Sequence, residues 1–570
     1  MQEHSDDIIE IQILHTADMH GHFMKYDYAL DRVYSIGSLA AIATKVQELR
    51  KAYPHTYLVD TGDTFQGNYN ELFQNHIENN PMTLLMNYLK YDTFTLGNHE
   101  FNYGIEYVYR IMNALKMPTL AANLYTKQGS RLTTPYVIFH QSGIRIAIVG
   151  MVTPNIIRWD SDHLADIVVR TPLEEMKHLW PELEGKADLY VFANHQSFHD
   201  FYMLGDGYEQ LIKRYPQFRL ALISHSHQKR ATRYGDTWCL QPGVHGSDLG
   251  QAIFRFKKQG DRYEYLSSEA RLISMEDVTE DPNALAMVAS AHQLALDDIR
   301  IPVGRLVGGN LIPHPTIKKM SQAQIECTPL IAFINDVQRH YAESDVSLAT
   351  LSHLDANLIE GEINRADIVN MYRHNNMLRV YRICGWQLKQ LMEWSARYFN
   401  QWQEGDLTIS FEAQIPIYDY AMFGGILYDI NISKPIGERI EHLRWPQGGE
   451  VQMNESLTIA IDDFKAKGFL EKDLFSKDSS VQLIKDYGFG YKEDGRIRNL
   501  IIRYIQEHAQ GIISNEMNTR DNGFRLTGYH WEESLHQEAI RQLNEGIIPI
   551  PESDNGLSYH TRSIRKEDLR

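Results

Sequence analysis

Apolar and polar residues alternate through most of Ile8 to Leu14 (Ile-Ile-Glu-Ile-Gln-Ile-Leu), which predicts a strand with one buried face. From Gly37 to Tyr53 the period changes, and Leu39, Ile42, Val46 and Leu49 recur at helical spacing. Thr56 to Val59 predicts a second strand, Met82 to Leu89 a short helix, and Phe94 and Leu96 mark a third strand. Further strands are expected at Ile144 to Gly150, Asp188 to Ala193 and Leu220 to Ile223. Five of these strands run directly into polar blocks. They are Asp18-Met19-His20, Asp60-Thr61-Gly62-Asp63, Gly97-Asn98-His99-Glu100-Phe101-Asn102, Asn194-His195 and Ser224-His225-Ser226-His227. Such a pattern predicts a layered α/β fold, in which strand ends gather along one sheet edge where ligands bind. Residues as distant as Asp18 and His227 can then converge.

At 570 residues the chain exceeds a single core, and two domains are expected. Asp281-Pro282 reads as a helix start, and Leu285, Val288, Leu296 and Ile299 share one helical face up to Ile301-Pro302. The expected division is 1–275, a helical linker at 276–300, a second domain at 301–512 and an extension at 513–570. In the extension Trp531, Leu535, Ala539, Ile540 and Leu543 form a helical face suited to packing on a domain or to association.

The formal net charge of −18 argues against a nucleic-acid polymer as main partner, because backbone neutralisation needs a basic surface. A small anionic substrate stays compatible with it if a metal supplies local positive charge. Three scattered cysteines (Cys239, Cys327, Cys384) read as reduced thiols. No apolar run follows Met1 and no window reaches the length of a membrane span, so the expected location is cytoplasmic, with no membrane partner.

The candidate metal ligands are Asp18, His20, Asp63, Asn98, His195, His225 and His227. Imidazole mixed with carboxylate suits Mn, Fe, Co or Zn better than Mg or Ca. Seven ligands are too many for one tetrahedral ion and fit two ions sharing a carboxylate, for which Asp63 is the candidate. Two such ions, about 3.5–4 Å apart, activate a water and clamp phosphoryl oxygens during in-line displacement. His99 is the candidate proton donor to the leaving oxygen. His15 reads as a hydrogen-bonded strand-end residue, and His22 and His199 as supporting or surface residues.

Asp18-x-His20, Gly62-Asp63, Gly97-Asn98-His99-Glu100, Asn194-His195 and His225-x-His227 together resemble the calcineurin-like metallophosphoesterase signature. Their order resembles the two-domain branch of 5′-nucleotidases and 2′,3′-cyclic-nucleotide 2′-phosphodiesterase/3′-nucleotidases. The resemblance implies a four-layer αββα domain followed by a smaller α+β nucleotide-binding domain. It implies one metal on Asp18, His20, Asp63 and His227, and another on Asp63, Asn98, His195 and His225. Manganese is the first expectation, with Zn, Fe or Co as alternatives. His99 is the implied catalytic histidine, with Asn102 beside it and Asn98 also near substrate. Many 5′-nucleotidases carry Asp where this chain has Asn102, which makes the block more similar to the cyclic-phosphodiesterase branch.

The segment Tyr418 to Asp429 resembles the one that sets an aromatic against the nucleobase, and Tyr420 is the implied stacking residue. The expected glycine-rich, arginine-bearing loop is replaced by Ala349-Thr350-Leu351-Ser352-His353-Leu354-Asp355-Ala356-Asn357. Arg365, Arg373 and Arg379 are candidate substitutes, and Phe469, Phe475 and Phe489 are candidates for a second stacking ring. The implied activity is hydrolysis of nucleotides, either 2′,3′-cyclic nucleotides or nucleoside monophosphates. Nucleotide sugars, dinucleotides, a nuclease on the same core and an inactive nucleotide-binding protein are the alternatives.

Overall fold

The computed structural model describes residues 8–200, 207–260, 262–472, 474, 481–488, 495–516, 523–553 and 558–570. The chain divides into two compact units, Met1–Asp298 and Ile299–Arg570.

The first unit contains two six-stranded sheets. One runs in the order Arg262–Ser274, Asp248–Gln259, Ile8–Thr16, Thr56–Asp60, Thr93–Thr95, Thr119–Leu120. The other runs Lys229–Tyr234, Thr237–Pro242, Phe218–Leu222, Leu189–Ala193, Ile144–Val149, Tyr136–Gln141. Ile11, Ile13, Val59 and Phe254 of the first sheet share one apolar cluster with Ile146, Ile148, Val191 and Leu222 of the second, so the sheets pack face to face. Each such side chain contributes about 1.5–3 kcal/mol on full burial. On the outer side of the second sheet, Phe192 and Phe218 stack at 3.5 Å and pack with Met176, Leu179 and Leu183 of the helix Pro172–Leu183. The opposite face of the first sheet is also closed to water, since Leu14 and Leu58 are fully buried, as are Ile42 and Val46 of the helix Leu39–Ala52. The result is the layered α/β architecture that the strand pattern predicts.

Parallel pairing sets the level of the strand ends. Thr16 lies opposite Asp60, Asp60 opposite Phe94, and in the other sheet Ala193 lies opposite Leu222. Three polar loops therefore leave one sheet side by side, and two leave the other. A hydrogen bond from Thr95 Oγ1 to the Ala193 carbonyl, 2.7 Å, ties the two edges together.

Two glycines let these loops touch through their backbones. A Cβ on Gly62 (φ +89°) falls 2.2 Å from the Gly97 nitrogen, and one on Gly97 falls 2.3 Å from the Asp63 nitrogen. The carboxylate of Glu100 then fastens the contact. Its two oxygens accept the backbone N–H groups of Asp63 (2.9 Å), Thr64 (2.8 Å), Phe65 (3.2 Å) and Gly97 (2.7 Å). An ionised carboxylate has about four acceptor positions, and all four are used here.

The helix Pro282–Ile299 forms as its Asp-Pro start predicts, and the main-chain oxygen of Asp281 accepts the Leu285 N–H. The helix lies within the 276–300 stretch expected to link the two domains. The division falls after Asp298, and His292 of this helix meets the Tyr28 hydroxyl at 2.8 Å within the first unit.

In the second unit the main sheet runs Met422–Gly424, Val346–Ala349, Ser456–Asp462, Leu378–Cys384, Gln482–Asp486, with the helix Pro329–Ala342 packed on it. The segment expected as an extension at 513–570 is part of this unit. Gly523–Thr527 pairs in parallel with Leu427–Asn431, and Ala539, Ile540 and Leu543 join the same apolar cluster as Leu330, Ile459 and Leu391. One face of the helix Glu533–Asn544, carrying Ala539, Ile540 and Leu543, is buried in that core.

Replacing Glu100 by Gln turns one acceptor into a donor facing backbone N–H groups. The E100Q variant is expected to lose about 3 kcal/mol or more of stability and to bind metal more weakly, because the Asp63 loop is released. Thermal melting and metal stoichiometry check this; an unchanged melting temperature contradicts the assignment.

Candidate metal centre

Each candidate ligand sits just past a strand end, on backbone that is held from outside. The Asp18 N–H donates to the Gly62 carbonyl and the His20 N–H to the Asp63 carbonyl, both at 2.9 Å. His195 Nδ1 faces the Thr61 carbonyl at 2.6 Å, which turns Nε2 inward. The His225 N–H lies 3.0 and 3.1 Å from the two oxygens of Asp18. Asp18 (φ 50°), His20 (45°), Asp63 (54°), His225 (68°) and His227 (56°) all adopt left-handed backbone. Such conformations are uncommon for residues with a Cβ and cost roughly 1–3 kcal/mol each.

The seven side chains converge. His20 Nε2 and His227 Nε2 are 3.2 Å apart, and His227 Nε2 is 3.6 Å from Asp18 Oδ1. On the other side His195 Nε2 is 3.2 Å from Asp63 Oδ2 and 3.0 Å from Asn98 Oδ1. Asp18, His20 and His227 form one group of potential ligands, and Asp63, His195 and His225 form another. Asp18, His20, Asp63, Asn98 and His195 are buried, His225 is half-buried, and His227 is exposed at the mouth.

Burial and close charge contacts shift the titration of these groups strongly, in both directions. Burial pulls His20 down to about 3, so its imidazole is an uncharged base with a lone pair to offer. Burial pushes Asp18 well above the usual carboxylate range. Burial also opposes the charge on Asp63, but the imidazoles of His195 and His99 outweigh it and hold Asp63 well below that range. Burial alone lowers His195, yet the Asp63 charge overrides it and lifts His195 to about 9. Two imidazole nitrogens 3.2 Å apart, with carboxylates and an amide oxygen around them, are a donor set for divalent metal ions of the Mn, Fe, Co or Zn type. The residues present therefore fit such ions.

His99 lines the open side. Its Nδ1 is 2.7 Å from Asn102 Oδ1, its Nε2 is 4.0 Å from Asp63 Oδ2, and its N–H donates to Asp63 Oδ1 at 2.8 Å. His15 bonds to Thr61 Oγ1 at 2.9 Å, and His199 is a surface residue beside Glu209. His22 is buried and its ring stacks at 4.1 Å on His245, a neighbour that the sequence did not single out. His245 lies edge-on to His20 at 6.0 Å and its N–H donates to the Asp18 carbonyl. Trp159, also unforeseen, tilts over His225 at 5.4 Å.

Tyr420 needs correction. Its ring is fully buried, stacked on Tyr398 at 4.7 Å and flanked by Phe399, so no face is open to a base. It follows a single tight turn, Ile417–Asp419, and the neighbour two residues earlier, Tyr418, is the exposed ring (42%). Phe464, 47% exposed, is a second open aromatic, and Lys465 Nζ lies 5.9 Å from the Tyr418 ring and 6.0 Å from the Phe464 ring. That lysine is anchored on Asp419 Oδ1 at 2.6 Å. Phe469 is buried, and Phe475 and Phe489 lie outside the described residues. Arg379 is engaged by Asp486 at 2.9 Å. In the loop at 349–357, Leu351 and Ala356 point into the core and His353 bonds to the Asn370 carbonyl. Among the described residues no helix is long and apolar enough to cross a membrane.

Residues 11–229 match the calcineurin-like phosphoesterase family, and residues 307–476 match the 5′-nucleotidase C-terminal domain. The chain is 24% identical over 561 residues to a trifunctional nucleotide phosphoesterase protein of Bacillus subtilis, covering 84% of this chain but 38% of that one. It is 23% identical over 535 residues to a 2′,3′-cyclic-nucleotide 2′-phosphodiesterase/3′-nucleotidase of Yersinia enterocolitica, covering 80% of each. Its fold is similar to a crystal structure described as a putative 5′-nucleotidase from Staphylococcus aureus, with a TM-score of 0.78 and 21% identity, covering 91% of this chain and 100% of that one. With the clustered aspartates and histidines at four strand ends, these matches establish that the chain belongs to the calcineurin-like phosphoesterases that carry a 5′-nucleotidase C-terminal domain.

Proposed function

We propose that this protein is a two-metal phosphohydrolase of nucleotides, acting on 2′,3′-cyclic nucleotides, nucleoside monophosphates or both. The observation that carries the reading is the pair of adjoining ligand groups, Asp18/His20/His227 and Asp63/His195/His225, with His99 at their edge. One ion would be held by Asp18, His20, Asp63 and His227, and the other by Asp63, Asn98, His195 and His225, with manganese the proposed metal. When bound, these ions supply Lewis acidity toward phosphoryl oxygens and an activated water.

The chain's own residues do the rest. Asp63, of the second group, would be the carboxylate shared by both ions. His99, oriented through Nδ1 by Asn102, presents Nε2 toward the reacting phosphate and gives its proton to the departing ribose oxygen. Asn98, beside His195, also faces that phosphate. The second unit carries the aromatic surface suited to a base, Tyr418 and Phe464 with Lys465 between them. The net charge of −18 favours a small nucleotide over a nucleic-acid polymer.

A panel of 5′-, 3′- and 2′,3′-cyclic nucleotides, with a nucleotide sugar and a dinucleotide included, assayed with Mn²⁺, Zn²⁺ and Co²⁺, tests the proposal. Metal-dependent turnover of at least one nucleotide is expected, lost on chelation. H99A should lose about 10²- to 10⁴-fold in turnover while keeping its metals; no turnover with any ion, or full activity in H99A, contradicts the reading.

Substitution of the exposed rings by alanine, Y418A and F464A, is expected to raise KM for nucleotides by about tenfold each, since stacking is worth roughly 1–3 kcal/mol per base. Bis-p-nitrophenyl phosphate turnover serves as the control. Y420A is instead expected to lower stability by about 3–5 kcal/mol through core loss. A nucleotide KM unmoved by both exposed-ring variants rules these rings out.

A further inference from the structure

Behind His99 lies a third side chain that the family match does not assign. Asn102 Oδ1 is 2.7 Å from His99 Nδ1, while its Nδ2 is 3.1 and 3.4 Å from Oδ1 and Oδ2 of Asp160. Asp160 is buried and ends the short helix Ile156–Trp159. Its own N–H donates to the Ile156 carbonyl, and its carbonyl accepts the His163 N–H, both at 2.9 Å. The neighbouring Trp159 leans on His225, so the same turn is seated against the metal centre.

The chemistry of the three groups fixes their order. A carboxylate only accepts hydrogen bonds, so the end of the Asn102 amide facing Asp160 is the NH₂ group. The other end is then Oδ1, which only accepts, so His99 Nδ1 carries a proton. The remaining nitrogen, Nε2, is turned toward the metal centre, 4.0 Å from Asp63 Oδ2. Without the carboxylate the amide has no such preference. Flipped, its NH₂ group points at His99 Nδ1, which must then be unprotonated, and the doubly protonated ring loses its partner.

We propose that Asp160 is the positioning residue of the leaving-group relay. It locks the Asn102 amide with Oδ1 on His99 Nδ1, and so holds the His99 ring with Nε2 turned toward the departing ribose oxygen. In that step a water oxygen forms a bond to phosphorus and loses a proton to solvent, while the bond from phosphorus to the ribose oxygen breaks with its electron pair going to that oxygen. The Nε2–H bond breaks, an O–H bond forms, and His99 is left neutral with Nδ1–H on Asn102. The inference rests on the proposed phosphohydrolase reading. It accounts for an asparagine beside the histidine, because the carboxylate stands one amide farther back.

The test compares D160N, N102D and the exchange variant N102D/D160N on the nucleoside monophosphate that the wild type turns over best and on p-nitrophenyl phosphate. p-Nitrophenolate leaves without needing a proton, whereas a ribose oxygen does need one. D160N is expected to lower kcat for the nucleotide by roughly tenfold or more with little change in KM, and its loss on the aryl ester should be several times smaller. The exchange variant restores an amide–carboxylate pair in reversed order and is expected to recover most of the nucleotide activity. Equal losses on both substrates, no loss at all, or an exchange variant no better than D160N overturns the role of Asp160. Should D160N fail to fold, histidine-labelled NMR of the zinc-loaded wild type decides instead: His99 protonated on Nδ1 is expected, and an unprotonated Nδ1 overturns the proposal. A wild type that turns over no nucleotide overturns the underlying phosphohydrolase reading instead, which separates the two failures.

Discussion

Everything in the first unit answers one constraint: two carboxylates and several imidazoles are packed into one small cage, mostly out of water. Desolvating such groups without partners costs several kcal/mol each. Five of the seven candidate ligands also stand on left-handed backbone, adding about 1–3 kcal/mol apiece. Those costs compare with the whole stability of a typical domain, about 5–15 kcal/mol. Under the proposed two-metal reading, a pair of divalent cations would relieve the first cost directly, and their binding would become part of the folding free energy. The second cost is borne by the scaffold, through Glu100 on four backbone amides and the Thr95–Ala193 tie between sheets.

This division of labour explains why the ligands come from both sheets. Asp18, His20, Asp63 and Asn98 leave one sheet edge, while His195, His225 and His227 leave the other. The site is therefore as rigid as the packing between Ile11, Ile13 and Val59 on one side and Val191 and Leu222 on the other. Reactive groups sit on short loops, and the buried strands beneath set their spacing.

Much of this was legible in the sequence because the signals were local. The alternation in Ile8 to Leu14 and the polar block after each strand needed no knowledge of distant contacts, and the structure brings all seven ligand candidates to one place. What the sequence concealed were partnerships across the chain. Glu100 serves amides 35 to 37 residues away, His245 stacks on His22, and Asp160 reaches Asn102 across 58 residues. Tyr420 was misread for a different reason. A tight turn at Ile417–Asp419 decides which of two tyrosines faces the core, and no strand or helix period reports it. The segment at 513–570 likewise showed its apolar face but not the core residues it packs with.

The most direct test of the cage is anomalous diffraction from crystals grown with Mn²⁺. The account predicts two peaks about 3.5–4 Å apart, one beside Asp18, His20 and His227, the other beside Asn98, His195 and His225, with Asp63 between them. A single peak, or none within reach of these side chains, contradicts it.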